Sequence, residues 1–141
     1  MQILFEYERD EYKIVDEDRL RGWLENAAKL EGIKKGEIRF ILVSKDHILQ
    51  INSKYLGHNY LTDIITFDNS FLDTVVGEIH ICIEVVRSNA KKYAKDDFDR
   101  ELKRNFIHGV LHLAGYKDKT EFESARMRQR EDFHLDILSN F

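Results

Sequence analysis

The stretch Phe106-Ile-His-Gly-Val-Leu-His-Leu113 constrains the fold more than any other, because it is apolar around its whole circumference yet carries two imidazoles. A helix of that kind belongs inside a protein, so the remaining chain has to cover it. His108 and His112 are four residues apart, which on an α-helix places them on one face, about 6 Å apart along the axis. Gly115 is the natural stop, since glycine takes the left-handed conformation at little cost, and Asp118 follows on the returning chain. Two nitrogens and one carboxylate leave the fourth tetrahedral position of a Zn²⁺ open, which suits a catalytic site better than a closed structural one. The histidine pair alone has a second reading, as bystanders near a helix C-terminus where imidazole interacts with the dipole. Burial favours the ligand reading, because a buried imidazole needs a partner. A zinc protease of the His-Glu-x-x-His kind needs a glutamate where Gly109 stands, so peptide hydrolysis by that route is disfavoured.

Around this segment the patterning predicts four strands and five helices. Ile3–Tyr7 reads as a first strand, with a turn at Asp10-Glu11, and Val15–Leu30 reads as a helix with Leu20, Trp23, Leu24, Ala27 and Ala28 inward and Gly32 closing it. Glu37–Val43 alternates as a strand, and Ser44 caps a helix through Tyr55 with Ile48, Leu49 and Ile51 inward. Asp63–Phe67 and Gly77–Ile83 are the next strands. Helices follow over Glu84–Lys95 and Asp97–Ala114, and Thr120 opens a last one through a capping box with Glu123. These elements imply an α/β or α+β fold, with α+β the expectation: a single domain, residues 1–141, with a small mixed four-stranded sheet packed by helices. The metal site would sit on one of those helices and the loop after it.

Composition excludes several classes. The chain has no proline and no low-complexity tract that would mark a linker. No run approaches the roughly 18 apolar residues of a membrane span, and the start of the chain lacks a basic segment leading into an apolar one, so a cytoplasmic protein is expected. Cys82, the single cysteine, fits a reducing compartment as a small core residue. A net charge of −4 advertises no global attraction for nucleic acid, but a local basic surface suffices for phosphate contacts.

The motif His108-Gly-Val-Leu-His112-Leu-Ala-Gly-Tyr116, with Met127 and Glu131 beyond it, resembles the HGxLHLxGY signature of the YbeY family, bacterial metal-dependent endoribonucleases of ribosomal RNA maturation. Upstream, Ile51-Asn52-Ser-Lys-Tyr55 is similar to that family's LNxxYR, Thr62-Asp63-Ile-Ile-Thr66-Phe67 to its TDVLSF, and Gly77-Glu78-Ile79 to its GDI. Order and spacing hold from about residue 37 onward. Three positions depart. Asp118 stands where the family has a third histidine ligand, Leu56 where it has an arginine near the scissile phosphate, and Leu61 where it has a proline. Aspartate can replace histidine at a metal, but leucine cannot replace a guanidinium.

The resemblance implies a zinc-dependent single-strand endoribonuclease, one Zn²⁺ per chain, acting in 3′-end maturation of small-subunit (16S) ribosomal RNA and in ribosome quality control. It further implies ribosomal RNA, small-subunit proteins and a ribosome-associated GTPase as partners. Chemically, a metal-activated water would attack the phosphodiester, or the metal would polarise a phosphoryl oxygen, and the choice between water and the ribose 2′-OH stays open. Two alternatives stand beside this: a non-catalytic metal-binding ribosome-assembly factor, which Leu56 favours, and a metal-dependent hydrolase of another small substrate.

His108, His112 and Asp118 are thus the expected metal ligands. Glu78 is the expected catalytic carboxylate, on a strand facing the site helix, against the alternative that it is a solvent-facing member of an alternating strand. Asp63, Thr66 and Lys117 are the expected substrate contacts, although Asp63 also reads as a turn cap and Lys117 as a solvated loop lysine. Lys91, Lys92, Lys95, Arg100, Lys103 and Arg104 alternate with acids and read as a solvated mixed-charge face. His134, like His47, His58 and His80, reads as packed or exposed and not as a ligand.

Overall fold

The computed structural model describes residues 1–9 and 12–141, so the turn expected at Asp10-Glu11 lies outside the described residues. In chain order the elements are β1 (Gln2–Tyr7), α1 (Glu17–Leu30), β2 (Gly36–Val43), α2 (Lys45–Leu56), β3 (Ile64–Asp68), β4 (Val75–Cys82), α3 (Ile83–Tyr93), α4 (Phe98–Leu113) and α5 (Glu121–Leu138). All nine were expected from the patterning, with shifts of one or two residues at most ends. Ile83 is the exception in kind: it opens α3 instead of closing β4, because the chain passes from strand to helix with Cys82 as the N-cap. Ser44, Asp97 and Thr120 cap α2, α4 and α5 through their side chains, and Thr120 forms the full capping box with Glu123.

The sheet order is β1-β2-β4-β3. β1 and β4 both run parallel to β2, while β3 pairs antiparallel with β4 at the edge, so the sheet is mixed. The β3–β4 register pairs Thr66 with Ile79 and Phe67 with Glu78. Directly paired residues point to one face and their neighbours to the other, which divides the sheet cleanly. Ile3, Ile38, Phe40, Leu42, Ile79 and Ile81 join the main core with α1 and α4. Ile65, Val43 and Cys82 join a smaller cluster with Ile48 and Ile51 of α2 on the opposite face.

Helix α4 is the centre of the main core, as its apolar circumference demands: Phe106, Ile107, Val110 and Leu111 are fully buried. The ring of Phe106 meets Phe40 edge-on at 5.0 Å and Phe5 at 5.8 Å. Two glycines let α4 approach β4 closely. A Cβ on Gly109 would lie 2.6 Å from Ile79 Cδ1, and one on Gly77 would land on the side chain of Leu113. Helix α5 packs on α4, and α1 joins them through the Trp23 indole N–H, which donates to the His134 carbonyl at 2.8 Å. Among the described residues, no helix is long and apolar enough to cross a membrane.

Candidate metal centre

The last turn of α4 and the loop after it form the site. Ala114 ends the helix, Gly115 takes φ +107°, and the chain reverses. The Tyr116 N–H donates to the Leu111 carbonyl and the Gly115 N–H to the His112 carbonyl, the paired bonds of a Schellman ending. That reversal delivers Asp118 to the two histidines. His108 Nε2 and His112 Nε2 lie 2.9 Å apart, and each is 3.2 Å from Asp118 Oδ2. Among the described residues these three form the one group of donors close enough to share an ion.

The tautomers are fixed from behind. His112 Nδ1 is 3.0 Å from the Tyr116 carbonyl, which can only accept, so the proton sits on Nδ1 and the Nε2 lone pair points at its partners. His108 Nδ1 lies 2.6 Å from Glu131 Oε2, so its Nε2 also points inward. Two nitrogen lone pairs and a carboxylate oxygen therefore converge with no donor among them. Such a set is repulsive unless a cation enters it or one ring takes a second proton. Burial by itself lowers the pKa of His108, but the hydrogen bond and charge of Glu131, with the charges of Asp118 and Asp63, outweigh it and raise the pKa above the usual histidine value. The donor set fits a small divalent metal: tetrahedral bonds of about 2.0–2.1 Å place ligand atoms little more than 3 Å apart.

The supports come from distant elements. Glu131, 5% exposed at its side chain, also accepts from Arg104 Nη1 at 2.9 Å, and Arg104 reaches Asp132 at 2.8 Å. Arg104 is therefore a buried strut between α4 and α5 and leaves the solvated face expected for it. Its pattern of charged neighbours hid this, because helical spacing alone did not show that α5 covers that side of α4. On the other side, the Tyr116 hydroxyl donates to Glu31 at 2.8 Å, and Glu31 also takes Arg130 and His134, each at 2.6 Å. His134 is packed, as expected, and does not reach the metal set.

The donors open into a cleft of about 950 Å³. Its walls are the loop after α2, the start of β3, α4 and α5. Asp63 and Thr66 both line it, Thr66 from the sheet face that carries Ile79. Lys117 is exposed beside Asp118 and is not among the lining residues. Glu78 is elsewhere. The register puts it with Phe67 on the sheet face turned away from α4, where it binds His80 Nε2 at 2.9 Å. Alternation told that β4 has two faces but not which one met α4, and the carboxylate that does support a ligand is Glu131. Leu56 lines the cleft as an apolar wall, next to His58 and Tyr60, whose rings stack at 5.0 Å. Arg128 on α5 lines it too, a position the sequence alone did not single out.

Comparison with known proteins agrees with this picture. The profile of a family described as Endoribonuclease YbeY matches residues 4–139. A protein of Flavobacterium psychrophilum named Endoribonuclease YbeY is 43% identical over 136 residues, covering 96% of each chain. One of the same name from Parabacteroides distasonis is 37% identical over 138 residues, covering 98% of this chain and 96% of its own. The solution structure of a Thermotoga maritima protein superposes with a TM-score of 0.71 at 29% identity, covering 98% of this chain and 89% of that one.

Proposed function

The chain belongs to the Endoribonuclease YbeY family, and from that membership we propose that it is a zinc-dependent endoribonuclease of single-stranded RNA, acting in the cytoplasm on the 3′ end of small-subunit (16S) ribosomal RNA and in ribosome quality control. That it is an rRNA-processing endoribonuclease dependent on a metal follows from the family; the choice of zinc and the place of cutting are our reading. The observation that carries it is the convergence of His108 Nε2, His112 Nε2 and Asp118 Oδ2 at the base of a cleft. Residues 1–141 act as one YbeY-like domain, and the partners are ribosomal RNA, small-subunit proteins and a ribosome-associated GTPase.

His108, His112 and Asp118 would hold one zinc ion, which when bound supplies Lewis-acid polarisation and offsets phosphate charge. Nitrogen ligands favour zinc over magnesium or calcium, which take oxygen donors. Glu131 and the Tyr116 carbonyl keep both rings in the tautomer that presents Nε2. The Asp63 carboxylate, on the cleft wall, would accept a proton or a hydrogen bond from a ribose hydroxyl, and the Thr66 hydroxyl would donate to a phosphate oxygen. Lys117, beside Asp118, would meet a phosphate flanking the cut. Glu78 is not carried into this scheme, because it faces the other side of the sheet.

Leu56 on the cleft wall favours a second reading, a metal-binding assembly factor that does not cut. Single-turnover incubation of a 3′-extended 16S fragment with zinc-loaded protein, with and without chelator, separates the two. Cleavage that chelator abolishes and zinc restores is expected. An intact fragment after incubation with fully loaded protein would leave the assembly factor standing.

A further inference from the structure

The cleft is acidic. Asp63, Glu101, Asp118, Glu121 and Glu131 line it, against two cations, Arg104 and Arg128. A zinc ion at the donors would offset only part of that charge, so a phosphodiester beside it needs a further positive partner, and the two arginines are not equivalent. Arg104 is 8% exposed and is held by both Glu131 and Asp132, so its guanidinium is already committed. Arg128 is exposed, and no hydrogen bond or ion pair to another described residue occupies it.

Its position on α5 is specific. Glu121, Ser124, Arg128 and Glu131 fall at helical spacing on the stripe that lines the cleft. Residues three apart on a helix have Cβ atoms about 5–6 Å apart, so Arg128 stands one turn from the carboxylate bonded to His108 at 2.6 Å. A guanidinium is planar, permanently charged and matched to two phosphate oxygens at once.

We propose that Arg128 is the residue that contacts the RNA phosphate at the metal centre, supplying from α5 the cation that the opposite wall, with Leu56, does not provide. This rests on the endoribonuclease reading above. The site it defines takes a phosphodiester of single-stranded RNA in the cleft that the metal donors and Arg128 both line.

The test is R128Q, which keeps length and polarity at an exposed position, measured against a labelled 3′-extended 16S fragment with zinc-loaded protein. Single-turnover cleavage should fall about 10–100-fold, with zinc content and thermal midpoint unchanged. The slope of log affinity against log salt should become shallower by about 0.7, the loss of one phosphate contact to a single strand. L56R in the R128Q background should recover part of the cleavage by returning a guanidinium from the facing wall. Cleavage and salt slope equal to wild type would overturn the proposal, and so would loss of zinc from R128Q, which would make Arg128 a support of the metal site. If the wild type itself leaves the fragment uncut, the activity reading fails, and the salt slope alone still decides whether Arg128 holds phosphate.

Discussion

Glu131 joins His108 to Arg104: one carboxylate oxygen lies 2.6 Å from His108 Nδ1 and the other 2.9 Å from Arg104 Nη1. A single side chain of α5 thus aims a metal ligand and neutralises a buried cation. The two tasks need the same charge, so neither can be changed alone.

Glu131→Gln keeps the shape but not the charge. Metal affinity should drop about 10–100-fold, the usual consequence of losing the group that orients a ligating histidine. Stability should fall as well, since Arg104 loses a charged partner in a buried place. Competition against a chromogenic chelator and urea titration read the two effects separately. An unchanged affinity would mean that Glu131 serves packing only.

The ligand set itself is tested by metal content. His108→Ala and His112→Ala should each lose more affinity than Glu131→Gln does, because a direct ligand is removed. Asp118→His should stay metallated, as imidazole is an equally good ligand for zinc, while Asp118→Ala should not. Elemental analysis after dialysis against excess weak chelator ranks the four. Retention of zinc by the double histidine variant would rule out this site.

How much of this was legible from the chain depends on distance along it. His108, His112, Gly115 and Asp118 lie within one helix end and its turn, so spacing alone predicted their meeting. The same holds for the caps at Ser44 and Thr120. Arg104 and Arg128 meet the site only through the docking of α5 on α4, and so does Glu131, although the motif already singles it out. Helix α5 buries Met127, Glu131, His134, Leu135 and Leu138, and two of those five are polar, so no apolar stripe announced which side was inward. Glu78 shows the same shortfall in the sheet, where alternation without register leaves the face undecided.

Glu31 gives the pH dependence. Burial alone would raise its pKa, but hydrogen bonds from Arg130, His134 and Tyr116 outweigh that and hold it below the usual glutamate value. A carboxylate with a depressed folded-state pKa contributes stability that is present above its unfolded value, about 4.3, and is lost as pH falls through the folded one. Glu31→Gln should therefore cost about 2–3 kcal/mol at pH 7, typical of hydrogen bonds to a charged group, and progressively less below pH 4. Urea midpoints of both proteins across that range check it. A difference independent of pH would show that the charge of Glu31 contributes nothing.

The close contact of α4 with β4 is open to a simpler test. Gly77→Ala puts a methyl group into Leu113 and should destabilise by about 1–3 kcal/mol, the range for overpacking a filled core. Gly109→Ala presses on the flexible tip of Ile79 and gains helix propensity, so its cost should be smaller. Thermal midpoints give the order, and a Gly109 variant worse than the Gly77 one would reverse the account.

The order of the elements along the chain has a consequence for biogenesis. Translation delivers His108, His112 and Asp118 before Glu131 and Arg128, which ride on the helix that follows. Without α5, the donors lack the carboxylate that aims His108 and the guanidinium that lines the cleft. A chain that lacks a docked α5 should therefore hold metal more weakly than the whole protein does.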